Sequence, residues 1–240
     1  MGRATAEALA SKGYGIVLSS RAPQAAAEEI ARQHGVPVLA VAGSIADPAT
    51  ATALVAAAEP LGGIDALLIN HGGPPVRPVM DTGDVDWQEA FEMMVQGPMR
   101  LLRAVVPLMR ARGGGRVLGV SSFTVKSPQA GIILSNSLRA ALVNALKTAA
   151  QEFGPDNILI NALAPGYVAT ERLVGWNHAY AEARGTTPEE VAKATLATIP
   201  LRRTGEAADF GRFAAFLLSD ENAYISGQQI LFDGALVVAN

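Results

Sequence analysis

The chain has 240 residues, a formal net charge of −3 at pH 7 and no cysteine. The lack of cysteine excludes disulfides, thiol catalysis and thiolate metal sites, and a pI near 5.7 provides no basic surface for nucleic acid. Half of the residues are hydrophobic and 17% are charged, a balance typical of folded domains.

No apolar run reaches the roughly 20 residues that a transmembrane helix requires. The three histidines, His34, His71 and His178, are too widely separated along the chain to indicate a metal site. The start of the chain lacks the apolar core of a signal peptide. We therefore expect one cytoplasmic domain over residues 1–240, without a metal and without a nucleic-acid or membrane partner.

Helical and β-rich segments alternate along the chain, beginning with a helix. This alternation predicts an α/β fold, with a doubly wound parallel sheet covered by helices on both faces. Pro98 and Pro107 should bend or interrupt the fourth helix, and the polar stretch 171–199 predicts a lid-like insertion before the last helix. The predicted helices are 3–12, 23–34, 48–59, 86–110, 134–153 and 206–219, and the predicted strands are 14–19, 36–41, 64–69, 116–121, 157–163 and 228–232.

Three motifs, in this order and at this spacing, resemble the short-chain dehydrogenase/reductase (SDR) family. The segment 70–73, Asn-His-Gly-Gly, is similar to the family's Asn-Asn-Ala-Gly strand end. Ser122 follows a strand that resembles the one delivering the catalytic serine, and 161–170 resembles the family's Pro-Gly loop. The likeness extends over nearly the whole chain and is strongest to 3-oxoacyl-acyl-carrier-protein reductase-like members. It implies a Rossmann-like fold of three layers, α/β/α.

The resemblance also indicates a missing element at the start. The family opens with a strand and a Thr-Gly-x-x-x-Gly-x-Gly turn, and here only Gly2 corresponds to that turn, at its last glycine. We therefore expect the first strand to be absent from this chain. The strands 14–19 and 64–69 would then pair directly, or another segment would fill the gap between them, or the natural start lies upstream.

The resemblance implies NADP(H) as the cofactor rather than NAD(H). Arg21, next to Ser20 at the end of strand 14–19, falls where such reductases bind an adenosine 2′-phosphate, and no acidic residue stands there. A solvated charge at the sheet edge is the alternative interpretation of Arg21. Ser44 replaces an aspartate that usually touches adenine. The other cofactor-binding positions implied are Gly2, Asn70, Gly72, Pro165, Gly166 and Thr170.

The catalytic positions implied by the resemblance are Ser122, Ser135 and Arg139. Ser135 and Arg139 stand at the tyrosine and lysine of the Tyr-x-x-x-Lys motif, and Met94 stands at the asparagine that holds a water. A serine is a much poorer acid than a phenol, and an arginine does not release its proton in a protein. General acid catalysis contributes roughly 10²–10⁴-fold in rate, so the proton donor is left without a clear candidate.

Three other side chains are candidates to replace the missing acid: Tyr167 after the Pro-Gly pair, His71 at a strand end, and Lys126 after Ser122. The simpler interpretation of Tyr167 is a packed loop residue. His71 is more simply a hydrogen-bonded turn residue, and Lys126 a surface lysine.

Two functions follow. The first is an oxidoreductase that transfers hydride between NADP(H) and a small carbonyl or alcohol substrate, with degenerate catalytic residues. The second is a catalytically inactive homologue that serves as a ligand-binding or partner subunit. Helices 86–110 and 134–153 correspond to the family's dimer interface, so the resemblance implies a homodimer or homotetramer through them.

Overall fold

The computed structural model describes residues 1–238, and its strands lie in two parallel groups. One pair consists of β1 (Ile16–Ser20) and β2 (Val38–Ala42). The other group is ordered β3 (Ala66–Ile69), β4 (Gly115–Val120), β5 (Ile158–Pro165) and β6 (Gln229–Phe232).

Helices cover both faces of these sheets, which confirms the predicted α/β fold. One face packs on α3, α5 and α6 through residues such as Val105, Leu142 and Leu146, and the other packs on α1, α2 and α9 through Ile30 and Phe210. The helices are α1 (Gly2–Ala10), α2 (Gln24–His34), α3 (Pro48–Ala58), α4 (Asp84–Phe91), α5 (Gly97–Ala111), α6 (Ile133–Phe153), α7 (Glu171–Arg184), α8 (Pro188–Thr198) and α9 (Ala207–Leu217).

The predicted helix 86–110 is divided into α4, a π-helical turn at Glu92–Gln96, and α5. Pro98 lies in the first turn of α5, where its missing N–H is tolerated, whereas Pro107 lies inside that helix. The interruption therefore precedes Pro98, and Pro107 does not end the helix. The predicted lid 171–199 consists of α7 and α8, which pack against each other. Within residues 1–238, no helix has the length and apolar character needed to span a bilayer.

β1 and β3 belong to different sheets, and the resemblance assigns the family's first strand a place between them. The two strands are not hydrogen-bonded to each other, and no strand formed by residues 1–238 lies between them. Direct pairing, one of the outcomes considered from the sequence, is therefore not what the structure shows. Apolar side chains from both sides, including Ile16, Leu18 and Leu68, join one core cluster with α1, so side-chain packing holds the two groups together.

The contact between α1 and α9 depends on a glycine. A Cβ atom at Gly211 would collide with the backbone carbonyl of Ala4, so the two helix backbones approach more closely than any other residue would permit. Leu9 and Phe210 are buried next to this contact. The position of α1, and with it the first turn that faces the site, is therefore set by packing on α9.

We expect Gly211→Ala to destabilise the protein by about 1–3 kcal/mol, because the added methyl forces α1 away from α9. Gly175→Ala in α7 is the matched control, since nothing lies within 4 Å of a Cβ atom there. The control should gain up to about 1 kcal/mol from helix propensity. Urea unfolding followed by circular dichroism measures both values, and changes of the same sign would contradict this account of the contact.

Candidate active site

The predicted site residues meet at one edge of the sheets. All pairings are parallel, so the carboxyl ends of the strands point the same way, and ligands of open α/β sheets bind outside those ends. The residues at or just beyond these ends are Ser20 and Arg21 after β1, Ser44 after β2, Asn70 and Gly72 after β3, Ser122 after β4, and Pro165 and Gly166 at β5.

The edge at β1 and β2 offers a cation and two hydroxyls. Arg21 is exposed and forms no ion pair within residues 1–238. The Ser20 hydroxyl accepts a hydrogen bond from the Ala22 amide at 3.2 Å, and the Ser44 hydroxyl accepts one from Ala46 at 3.3 Å. Each hydroxyl therefore keeps its own hydrogen for a ligand. This composition fits the phosphorylated ribose of a dinucleotide.

The first turn of α1 lies against the end of β3. A Cβ atom at Gly2 would lie 2.7 Å from the side-chain nitrogen of Asn70. No side chain caps α1, so its first amide groups remain available for an anion, as helix N-termini commonly are. This turn and Asn70 together fit a phosphate group.

The loop after β5 is held by backbone contacts. Pro165 is buried, and a Cβ atom at Gly166 would lie 2.9 Å from the Cα atom of Asp233. Thr170 is the N-cap residue of α7, and its hydroxyl donates to the Val168 carbonyl at 3.3 Å. The loop thus fixes where α7 begins, above the edge of the sheet.

Ser122 has a hydroxyl that is free to donate. Its Oγ accepts hydrogen bonds from the Thr124 amide at 3.2 Å and from the Thr124 hydroxyl at 3.1 Å. Both bonds use the oxygen as acceptor, so the Ser122 hydrogen points elsewhere. Such a donor at the carboxyl end of β4 is suited to the oxygen of a carbonyl substrate.

Arg139 connects α6 to the end of β4. Its Nη1 donates to the carbonyls of Val120 at 3.1 Å and Ser121 at 2.9 Å, and its Nε donates to the Ser135 hydroxyl at 3.2 Å. The residue is buried, and burial together with the charge of Arg172 lowers the pKa of Arg139 to about 10. Arg139 therefore stays charged at neutral pH. Its guanidinium binds the carbonyl of Ser121, the residue that precedes Ser122. The structure thus brings together Ser122, Ser135 and Arg139.

His71 lies buried in the same region and is neutral. Its Nδ1 donates to the Gly72 carbonyl at 2.6 Å, which leaves Nε2 as an acceptor with no partner within residues 1–238. Burial, followed by the positive charge of Arg139 and then of Arg172, lowers the pKa of His71 to about 4. The imidazole is therefore not a proton donor at neutral pH.

Arg172, in the first turn of α7, extends across this region. Its guanidinium lies against Gly73, so closely that a Cβ atom at position 73 would require this exposed side chain to move. Its charge lowers the pKa of both Arg139 and His71. Neither Arg139 nor Arg172 forms an ion pair with a carboxylate of residues 1–238.

A row of aromatic rings borders the site. The ring of Tyr167 lies 5.4 Å from that of Phe123 and 5.8 Å from that of Trp176, and Trp176 stacks on Tyr180 at 4.7 Å. The Tyr167 hydroxyl accepts a hydrogen bond from Gln129 at 3.3 Å, and burial raises the pKa of the phenol. The row provides an apolar wall beside Ser122.

Two other positions weighed from the sequence lie elsewhere. Met94 is fully buried in an apolar cluster with Leu134 and Leu138, so it supplies packing and no polar atom. Lys126 follows the short helical turn Phe123–Val125 and is exposed. Within residues 1–238, no three His, Asp or Glu side chains are placed to hold a metal ion.

The family model described as Enoyl-(Acyl carrier protein) reductase matches residues 1–236. Dehydrogenase/reductase SDR family member 4 of Homo sapiens is 34% identical over 241 residues, which cover 98% of this chain and 82% of that protein. The chain belongs to the short-chain dehydrogenase/reductase family. The prediction of the family is therefore confirmed.

Two further similar proteins have names that mention NADPH. The crystal structure of L-sorbose reductase from Gluconobacter frateurii, complexed with NADPH and L-sorbose, matches this SDR chain with a TM-score of 0.92 at 30% identity, over 99% of this chain and 92% of that one. The NADPH-dependent reductase BacG of Bacillus subtilis is 29% identical over 244 residues, covering 98% of this chain and 92% of that protein. The first match supports the Rossmann-like fold over the whole SDR chain.

Sequence reasoning did not find Arg172, Thr124 or Tyr180 in this SDR site. The signal for α7 was available, because Arg172, Trp176 and Tyr180 recur at four-residue intervals and therefore lie on one face of a helix. No sequence pattern indicates that Thr124 would orient Ser122.

We expect His71 to make the stability of this SDR chain dependent on pH. Because its pKa is about 4 in the folded state and 6.5 ordinarily, the unfolded chain takes up the proton first as the pH falls. The stability is therefore complete above pH 6.5 and is lost as the pH falls towards 4, by up to about 3 kcal/mol.

Urea unfolding at several pH values tests this expectation. His71→Gln should lose less stability than the native chain between pH 6.5 and 4, because glutamine does not titrate. His178→Gln is the matched control, since it removes an exposed imidazole from α7. Equal pH dependence in the native chain and His71→Gln would show that His71 is not responsible.

Proposed function

We propose that this SDR chain is an NADP(H)-linked oxidoreductase that acts on a small carbonyl or alcohol substrate. The observation that carries the proposal is the Ser122 hydroxyl, which is free to donate at the carboxyl end of β4, next to the buried cation of Arg139. A donor and a cation placed together stabilise the negative charge that develops on a carbonyl oxygen during reduction.

NADP(H) is supported by residues at the other end of the edge. Arg21 would bind the 2′-phosphate, the first turn of α1 and Asn70 would bind the pyrophosphate, and the loop from Pro165 to Thr170 would lie beside the nicotinamide. The names of the sorbose reductase structure and of BacG both refer to NADPH. When bound, the cofactor supplies the hydride.

The residues of the chain would then orient the carbonyl group, provide positive charge and supply the proton. Ser122 donates to the carbonyl oxygen and orients it, while Arg139 holds the ends of β4 and α6 together and provides positive charge. Tyr167 is a phenol whose ring packs against Phe123, the residue that follows Ser122. Its hydroxyl accepts from Gln129 and so keeps its own hydrogen, which supports Tyr167 over Ser135 as the source of the proton.

A ligand-binding homologue without catalysis is the second candidate. Met94 is buried among apolar side chains, and the Ser135 hydroxyl is a weak acid held by Arg139. Both observations favour binding over turnover. Calorimetry that shows NADPH binding, combined with no oxidation of NADPH by any carbonyl compound, would favour this candidate.

We also propose that the chain forms a homodimer or homotetramer through α4, α5 and α6. Val85 and Phe91 on α4 are 65% and 46% exposed, which supports an apolar contact on this side of the molecule.

Arg21→Ala should weaken NADPH binding by about ten- to hundredfold, because a charge-assisted hydrogen bond to phosphate is lost. NADH has no 2′-phosphate, so its affinity should not change. Arg32→Ala, which removes an exposed arginine from α2, is the matched control. Isothermal titration calorimetry measures each affinity, and an equal loss for both nucleotides would remove the assigned role of Arg21.

Ser122→Ala should lower kcat by roughly 10²–10³-fold, because the donor to the carbonyl oxygen is removed. NADPH affinity should stay unchanged. The measurement is NADPH oxidation with methyl benzoylformate as a neutral carbonyl probe, and Ser127→Ala, at an exposed serine five residues along, is the control. Full activity in Ser122→Ala would contradict the proposed role.

A further inference from the structure

The site contains two arginines that no carboxylate neutralises. Arg139 on α6 is 9% exposed, whereas Arg172 on α7 is exposed and reaches the same region across Gly73. Other arginines of the chain, such as Arg100 and Arg112, pair with acidic side chains. Within residues 1–238, Arg139 and Arg172 have no such partner. Since an unpaired buried charge is costly, the charge of Arg139 is typical of a site whose counter-charge belongs to a ligand, and the exposed Arg172 adds a second positive charge beside it.

The polar atoms around the two arginines also lack partners. The Nη2 of Arg139 makes no hydrogen bond within residues 1–238, because its contacts use Nη1 and Nε. The Ser121 hydroxyl and the Nε2 of His71 are also buried, and neither has a hydrogen-bond partner among residues 1–238. Burial lowers the pKa of both Arg139 and His71, and positive neighbours lower both further. An anion bound here would reduce that repulsion and accept hydrogen bonds from Arg139 and Ser121.

We propose that Arg139 and Arg172 bind the carboxylate of the substrate, and that the substrate class is therefore a 2-oxo acid and its 2-hydroxy acid product. The proposal rests on the oxidoreductase function proposed above and specifies its substrate. The net reaction converts a 2-oxo acid, NADPH and one proton into a 2-hydroxy acid and NADP⁺.

The position of Arg139 relative to Ser122 supports a 2-oxo acid in particular. The guanidinium binds the carbonyls of Val120 and Ser121, the two residues before Ser122. A 2-oxo acid has its carboxylate one bond away from its keto carbon, so Ser122 would bind the keto oxygen while Arg139 faces the carboxylate.

The remainder of the substrate would lie along the aromatic row. Arg172, Trp176 and Tyr180 share one face of α7, and Trp176 contacts Tyr167. A ligand held at Arg172 by its carboxylate would therefore place its other end against these rings. This geometry favours an apolar or aromatic group on the keto carbon.

Benzoylformate and its methyl ester are matched probes, because the ester replaces the negative charge of the carboxylate with a methyl group and leaves the rest of the molecule unchanged. Calorimetric titration into the whole chain, with and without NADP⁺, should show benzoylformate binding at least about tenfold more tightly than the ester. Arg172→Gln should abolish this preference and Arg32→Gln should retain it. Equal binding of acid and ester, including no binding of either at millimolar concentration, would overturn the proposal.

Arg139→Lys provides the second variant, because it keeps the charge at a buried position and its fold is checked by circular dichroism. It should bind benzoylformate more weakly than the native chain, since an amine lacks the fork of the guanidinium. Native affinity for benzoylformate in this variant would overturn the assignment of Arg139.

NADPH titration of Arg172→Gln separates a substrate carboxylate from the cofactor phosphates as the anion. Under the proposal, NADPH affinity is unchanged in this variant. A loss of NADPH affinity with the acid preference intact would assign the arginine to the dinucleotide and overturn the proposal. Preference for the acid without NADPH oxidation would instead contradict the oxidoreductase function and leave the carboxylate site standing.

Discussion

The guanidinium of Arg139 is the contact on which the site depends. It ties the start of the long helix α6 to the carboxyl end of β4 through the carbonyls of Val120 and Ser121, and it holds the Ser135 hydroxyl. Because the guanidinium is charged and buried, its hydrogen bonds are made in a medium of low dielectric constant, where they are strong and where any unsatisfied group is costly. The position of Ser122 follows from this anchoring.

The same charge determines the character of the surrounding groups. After burial, which has the larger effect, it lowers the pKa of His71, and with Arg172 it makes the region positive without a balancing carboxylate among residues 1–238. A site of this kind stabilises negative charge on a ligand. Arg139 also holds the Ser135 hydroxyl, and the Tyr167 ring packs against Phe123, the residue that follows Ser122.

The cofactor end of the edge depends on packing at a distance. The first turn of α1 faces Asn70 because α1 lies directly on α9 at Gly211. No ladder hydrogen bonds join β1 to β3, and apolar side chains from both strands pack in one core cluster. The two groups of strands are thus related through helices. Burial of apolar area has no preferred direction. Apolar packing can therefore join the two groups of strands without the fixed register that ladder hydrogen bonds require.

The sequence by itself determined the fold and most of the edge. Its alternating helical and β-rich segments predicted the order of the strands and of most helices, because hydrophobic periodicity is a local property, whereas α7 and α8 were expected only as a lid-like insertion. The resemblance located Ser122, Arg21 and Asn70. Only the tertiary structure decided that Arg172 lies against Gly73, that Thr124 donates to the Ser122 hydroxyl, and that Arg139 is buried. These facts depend on contacts between residues distant in the chain or on side-chain rotamers, whereas a local pattern indicates at most which face of a helix a side chain occupies.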